Sequence, residues 1–259
     1  MKLSLSNGVF SDYSLTDNLS YVKKLGFENI EFNMKTVEQG DEKSVYKIKR
    51  LLEKHKLNCL TLHSATFPVT DEIEIPKAIY FGKVSANFAN ILSAPMMIIH
   101  SNVSRKVLEL QRKRFLYLML NEIQSYAKDL NIRLSLENLS ELSKSIGKNS
   151  VELEEILSVV DGDNIGITLD FCHGETTGQT LNLVEKYKNR LSNVHISNEG
   201  HRALESETPN LKQFLMKLHD FRYAGPLTIE LKPKCNPEHI LKTKSTLTNL
   251  CKELQITID

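Results

Sequence analysis

Residues 165–175 read IGITLDFCHGE. The run begins as a buried strand and then sets Asp170 and His173 three positions apart, where the apolar pattern stops. This is the pattern of a strand whose body packs in a core and whose tip faces a site.

Seven other β-rich runs accompany it: LSLS near the start, NIEFNM 29–34, CLTLHS 59–64, PMMIIHS 95–101, RLSLEN 133–138, LSNVHIS 191–197 and PLTIELK 226–232. Segments with helical apolar spacing lie between them, among them SVYKIKRLLEKHK 44–56, RFLYLMLNEIQSYAKDL 114–130, SVELEEILSVV 150–160 and LKQFLMKLHDF 211–221. Strands alternating with helices predict a parallel sheet with right-handed crossovers. Eight such units in 259 residues fit a (β/α)8 TIM barrel better than the alternative, a doubly wound sheet. No Pro/Gly/Ser-rich linker or low-complexity run divides the chain, so residues 1–259 are expected to form a single domain.

Composition narrows the function classes. With 33 Lys+Arg against 32 Asp+Glu, the net charge of +1 gives no global electrostatic reason to expect nucleic acid. The start, MKLSLSNGVFSDYS, lacks a signal peptide's apolar core, and no run approaches the roughly 20 apolar residues of a membrane span. A soluble, cytoplasmic protein without a membrane partner is expected, and a homo-oligomer remains open. Cys59, Cys172, Cys235 and Cys251 are scattered, with no C-x-x-C pair, which argues against a disulfide framework or a cysteine zinc site. Phosphate-binding glycine loops and the G-x-S-x-G elbow are absent from the sequence.

Ionisable residues stand near the ends of six predicted strands: His63, His100, Glu137, Asp170, His195 and Glu230. Alternation along a strand puts Cys59 and Thr61 on the face of His63, and Arg133 and Ser135 on that of Glu137. Thr168 shares a face with Asp170, Asn193 with His195, and Thr228 with Glu230. The other face carries Leu60, Leu62, Leu134, Leu136, Ile167, Leu169, Val194, Ile196, Leu227 and Ile229. That apolar face should meet the outer helices, which turns the ionisable residues into the barrel at its C-terminal rim.

One His or Glu at a strand end is ordinarily a solvated or hydrogen-bonded residue. Six in one phase are different, because clustered carboxylates repel unless a divalent cation offsets them, and histidines add neutral nitrogen donors. Mixed oxygen and nitrogen donors suit Mn²⁺, Zn²⁺, Co²⁺ or Mg²⁺ without selecting among them. His55, His219 and His239, within or at the start of charged helical patterns, read as surface residues.

At this point the sequence resembles the xylose-isomerase-like (β/α)8 superfamily, which includes sugar-phosphate isomerases and epimerases and the AP endonucleases of family 2. The matching motifs are LSLEN with Glu137, ITLDFCHG with Asp170 and His173, NVHISN with His195, and GPLTIEL with Glu230. The resemblance implies Glu137, Asp170, His195 and Glu230 as metal ligands. It implies His173 as a neighbour for substrate or a second metal. One group in the superfamily adds ligands that correspond here to His63, His100, Glu199 and His201, with Arg202 beside them as a substrate-binding candidate. Two departures stand out: Asn198 occupies a place where relatives carry Asp, and RALESET replaces a Gly-rich continuation.

The isomerase reading uses a metal-stabilised enediolate, with Glu137 and Glu230 moving protons on a carbohydrate-like small molecule. The alternative is an AP-endonuclease-like phosphodiesterase with several metals, for which all nine ligand positions can be filled. Against it, the loops KTVEQGDEKS and SATFPVTDEIEI are acidic or mixed, and Arg105, Lys106 and Arg202 are few cations for a duplex. Dehydratase or lyase chemistry needs the same enolate-stabilising site, and a non-catalytic barrel is the remaining reading.

Overall fold

The computed structural model describes residues 1–37, 43–160 and 162–259; part of the KTVEQGDEKS loop, positions 38–42, lies outside the described residues. Among the described residues the strands are β1 (Lys2–Ser6), β2 (Asn29–Asn33), β3 (Asn58–His63), β4 (Met96–Ile99), β5 (Arg133–Glu137), β6 (Ile165–Asp170), β7 (Leu191–Ile196) and β8 (Pro226–Ile229). All pair in parallel in sequence order, and β1 pairs with β8 to close the barrel. The eight-unit TIM barrel expected from the strand–helix alternation is therefore the fold.

The outer layer contains α1 (Leu15–Lys24), α2 (Ser44–His55), α3 (Ile75–Ile91), α4 (Glu109–Asp129), α5 (Ser150–Leu157), α6 (Phe171–Thr176), α7 (Thr180–Tyr187), α8 (Leu211–Asp220) and α9 (Pro237–Glu253). Local chemistry starts several of them. Asn149 caps α5 through its side chain, and Asn236 caps α9 ahead of Pro237 in the first turn. No described helix is long and apolar enough to cross a membrane. The outward-facing residues Leu62, Leu134, Leu136, Ile167, Val194, Ile196, Leu227 and Ile229 are fully buried between sheet and helices.

Two irregularities depart from simple alternation. Glu31 pairs with Thr61 while Ile30 pairs with Cys59, so Leu60 is an extra residue. Cys59 consequently lies beside Ile30 rather than in the row of Thr61 and His63. Likewise Thr168 pairs with Asn193 and Ile167 with Leu191, leaving Ser192 as the extra residue. Ser192 Oγ lies 2.7 Å from Ser135 Oγ, which is 2.6 Å from Thr168 Oγ1, so these three side chains meet inside the barrel. Gly166 accommodates this crowding: a Cβ there would stand 2.3 Å from Ser192 Oγ and 3.0 Å from the Arg190 carbonyl. Arg133, at the opening of β5, is exposed at the N-terminal mouth.

His219 and His239 are exposed, as read from the sequence, whereas His55 is half-buried with Nε2 unpartnered. His55 closes the last turn of α2, where the chain reverses through Lys56 at φ 52° and folds the ring inward. All four cysteines are free thiols, three of them buried.

Candidate metal centre

Each strand end from β3 to β8 delivers one side chain to the C-terminal rim. His63, Glu137 and Asp170 are the last residues of β3, β5 and β6; His195 is one residue before the end of β7; His100 and Glu230 follow β4 and β8 directly. The six are thus brought together from six different strands, and His173 and His201 join them from α6 and the loop after β7.

Ligand atoms converge in three groups, each with all its atoms within 4.8 Å of one another: His63, His100 and Glu137; Glu137, Asp170, His195 and Glu230; and Asp170, His173 and His201. Glu137 belongs to the first two and Asp170 to the last two. The Glu137 carboxylate divides its oxygens accordingly. Oε2 lies 3.2 Å from His63 Nε2 and 3.1 Å from His100 Nε2, and Oε1 lies 3.4 Å from both His173 Nδ1 and His195 Nδ1.

Hydrogen bonds fix which face of each ring points inward. Backbone carbonyls only accept, so His63 Nδ1 donates to Ser64 O at 3.3 Å, and His173 Nδ1 donates to Asn138 O at 2.9 Å. His201 Nδ1 donates to Glu230 O at 3.1 Å. His195 is held the other way round, its Nε2 donating to Glu31 Oε2 at 2.8 Å. Each ring is left with one nitrogen lone pair turned toward carboxylate oxygens or toward another ring. His173 Nε2 and His201 Nε2 face each other at 3.2 Å.

Lone pairs facing lone pairs repel unless a cation or a proton stands between them. Asp170 makes the need explicit: Oδ1 accepts from the His173 backbone N–H at 2.8 Å and caps α6, while the buried Oδ2 has no hydrogen bond. His195 Nδ1 is also buried without one, although Glu230 Oε2 is 3.1 Å away. These two unpartnered atoms belong to the same four-residue group, and the residues present fit a divalent cation.

In the protein without metal, protons take that role. Burial alone would lower His173, but the charges of Asp170 and Glu137 and a hydrogen bond to Glu137 push it up to about 10. His195 is raised well above its usual value against burial by Glu31, Glu230 and Glu137, and His63 rises against burial through Glu137. His100 is lowered because its burial outweighs the pull of Glu137. Burial would raise Glu137, yet His195 and His100 hold it well below the carboxylate range; Asp170 rises because burial dominates.

Glu31 was missed in the sequence. It sits in the middle of NIEFNM, is fully buried in β2, and also accepts from Thr61 Oγ1 at 3.0 Å. Its signal was an acidic residue inside an otherwise apolar strand core, two positions before the strand's end. Glu199, by contrast, is exposed at the tip of a turn and does not reach the cluster. Asn198 and Arg202 close that turn with reciprocal backbone hydrogen bonds of 2.9 and 3.2 Å, and the chain reverses through Gly200 and His201 at φ 68° and 51°. This geometry sends His201 inward and Glu199 outward. Arg105 is tied to Glu152 and to the Ser145 carbonyl, while Arg202 donates Nε to Glu199 O at 2.9 Å.

Fold and site define the class, and comparison with known proteins agrees. The sequence pattern of the xylose isomerase-like TIM barrel family matches residues 19–249, and the chain belongs to that family. It is 24% identical to the inosose isomerase of Halalkalibacterium halodurans, over 96% of this chain and 95% of that one. Its fold is similar to that of a D-tagatose 3-epimerase-like protein, with a TM-score of 0.85, 22% identity and 98% of each chain covered. It is also similar to an AP endonuclease of family 2 from Brucella melitensis, with a TM-score of 0.79 and 15% identity over 97% of this chain and 98% of that one.

Proposed function

We propose that the protein is a divalent-cation-dependent isomerase or epimerase that moves a proton beside the carbonyl of a small sugar, sugar phosphate or sugar-like hydroxy-keto compound. The observation that carries this reading is the group Glu137, Asp170, His195 and Glu230 at the rim of the barrel, two of whose buried ligand atoms make no hydrogen bond among the described residues. Similarity to an inosose isomerase over nearly the whole chain supports the sugar class.

These four residues would hold Mn²⁺, Zn²⁺, Co²⁺ or Mg²⁺, which when bound would supply positive charge beside the negative charge that develops on a substrate carbonyl oxygen. The chain's own groups supply the rest. Glu230 is the most exposed of the four, its side chain 16% accessible, and can receive the proton from a substrate carbon. Glu137 is 1% accessible and shared among four histidines, so its freedom to return a proton depends on releasing one of those contacts. His173 and His201, whose rings face each other at 3.2 Å, would meet a substrate hydroxyl.

The test is exchange of substrate hydrogen with solvent. Metal-supplemented protein should incorporate deuterium into an active ketose in D₂O, and Glu230→Gln should abolish incorporation; unchanged exchange in that variant removes Glu230 from the role.

One observation favours a second reading, an AP-endonuclease-like phosphodiesterase: the three ligand groups are contiguous through Glu137 and Asp170 and so suit several cations. Against it, Arg105 is neutralised by Glu152, which leaves Lys106 and Arg202 as the unpaired cations of the three named for DNA. Metal-dependent nicking of a duplex containing an abasic site would establish it, and its absence would remove it.

A further inference from the structure

Beside the metal centre lies a cavity of about 410 Å³, bounded by the loop after β7, the loop after β8 and the first turns of α9. His201 forms part of its wall, so the cavity and the ligand cluster share one residue. Three cationic residues, Arg202, Lys232 and Lys242, line it together with the imidazoles of His201 and His239. Among the described residues the one carboxylate in the lining is Glu205, and Lys242 occupies it at 2.7 Å.

The remaining donors are uncommitted. Arg202 uses Nε on the Glu199 carbonyl, and among the described residues neither terminal nitrogen of its guanidinium has a partner. The Lys232 amine and the His239 ring have no hydrogen bond or ion pair among the described residues. The walls are nevertheless fixed. Reciprocal backbone bonds between Asn198 and Arg202 set one loop, and the Lys232 N–H donates to His201 O at 2.9 Å, joining it to the other. The cavity therefore presents two unpaired cations, Arg202 and Lys232, on a backbone already tied in place, at the end of the barrel where the strand-seven and strand-eight loops often receive a phosphate.

We propose that this cavity binds the terminal phosphate of a phosphorylated sugar whose carbonyl end reaches the carboxylates of the metal centre. The inference rests on the small-sugar reading above and narrows it from neutral ketoses to sugar phosphates. Arg202 offers a forked pair of donors and Lys232 a point charge, which together match a dianionic oxyanion better than a neutral hydroxyl group.

A second basic region must be separated from this one. The groove at the N-terminal mouth carries Lys2, Lys23, Lys49, Lys56 and Lys244, but it lies at the other end of the barrel, and Lys244 is spent on the carbonyls of Leu25 and Gly26. Variants of the proposed cavity, rather than binding alone, therefore decide the assignment.

The experiment is a calorimetric titration of the purified full chain with inorganic phosphate, in wild type, Lys232→Gln and the Arg202→Gln/Lys232→Gln double variant. Phosphate should bind the wild type and bind the double variant at least tenfold more weakly, with melting temperature and bound metal unchanged. Equal affinity in wild type and double variant, or no binding to the wild type at millimolar phosphate, overturns the proposal. The same titration with acetate distinguishes a carboxylate site, and tighter binding of acetate than of phosphate also overturns it. Deuterium exchange on paired ketoses and ketose phosphates separates the two readings. A phosphate effect without any exchange sinks the isomerase and leaves the anion site, whereas exchange without a phosphate effect does the reverse.

Discussion

His195 donates its Nε2 proton to Glu31 Oε2 at 2.8 Å, a contact that joins β7 to β2 across 164 positions of sequence. It fixes the tautomer of His195 and turns the Nδ1 lone pair toward Glu137, Asp170 and Glu230. A buried carboxylate behind a histidine ligand raises the basicity of that ligand and holds its ring in place. Glu31→Gln should lower metal affinity about tenfold and Glu31→Leu up to about 100-fold, because the leucine leaves a buried N–H without an acceptor. Competition with a chromogenic chelator measures both; unchanged affinity in the two variants would remove Glu31 from this role.

Metal affinity should rise with pH. His195, the one histidine of the four-residue group, has a pKa raised well above its usual value in the metal-free protein, so a cation must displace its proton before it can bind, and the raised His173 and His63 beside it add positive charge that disfavours the cation at low pH. Titrations from pH 6 to pH 9 should show proton release on binding and an apparent affinity that climbs steadily. A pH-independent affinity would contradict the assignment of His195 as a ligand.

The same shifts set the stability of the metal-free chain. A histidine raised from 6.5 to about 10, as His173 is, contributes fully below pH 6.5 and loses its contribution as pH rises through 10. Denaturant midpoints of chelator-treated protein should therefore fall between pH 7 and pH 10, and added metal should restore them.

Gly166→Ala should destabilise the fold by about 1–3 kcal/mol, the usual cost of overpacking a tight interior. The added methyl meets Ser192 and the backbone of Arg190, and the latter has little room to move. Urea denaturation checks the value. Gly166→Ala/Ser192→Gly should recover part of the loss, because it removes the side chain that the new methyl strikes.

The thiols should differ in reactivity. Burial pushes Cys59 up to about 12 and Cys172 up to about 11, whereas Cys235 is half-exposed. A disulfide reagent at pH 8 should modify Cys235 first, and mass spectrometry of the labelled peptides identifies it.

Much of this arrangement was legible in the sequence because strand alternation and loop position act locally. LSLEN, ITLDF and NVHIS each carry an outward apolar face and an inward polar one, and that phase alone turned Glu137, Asp170 and His195 toward the rim. The extra residues at Leu60 and Ser192 were not legible, since a bulge is fixed by pairing with the neighbouring strand rather than by its own residues. The same limit hid Glu31, whose partner is far away in the chain. Glu199 and His201 share one short loop, yet only the left-handed turn at Gly200 and His201 decides which of them faces the cluster.

The central claim is that Glu137, Asp170, His195 and Glu230 hold a divalent cation. Elemental analysis of protein purified without chelator, followed by titration of the stripped chain with Mn²⁺, Co²⁺, Zn²⁺ and Mg²⁺, tests it most directly. The account predicts at least one bound cation per chain, lost in Asp170→Asn and in His195→Gln while the fold is kept. A stripped wild type that binds none of the four ions, or variants that bind them as well as wild type does, would contradict it.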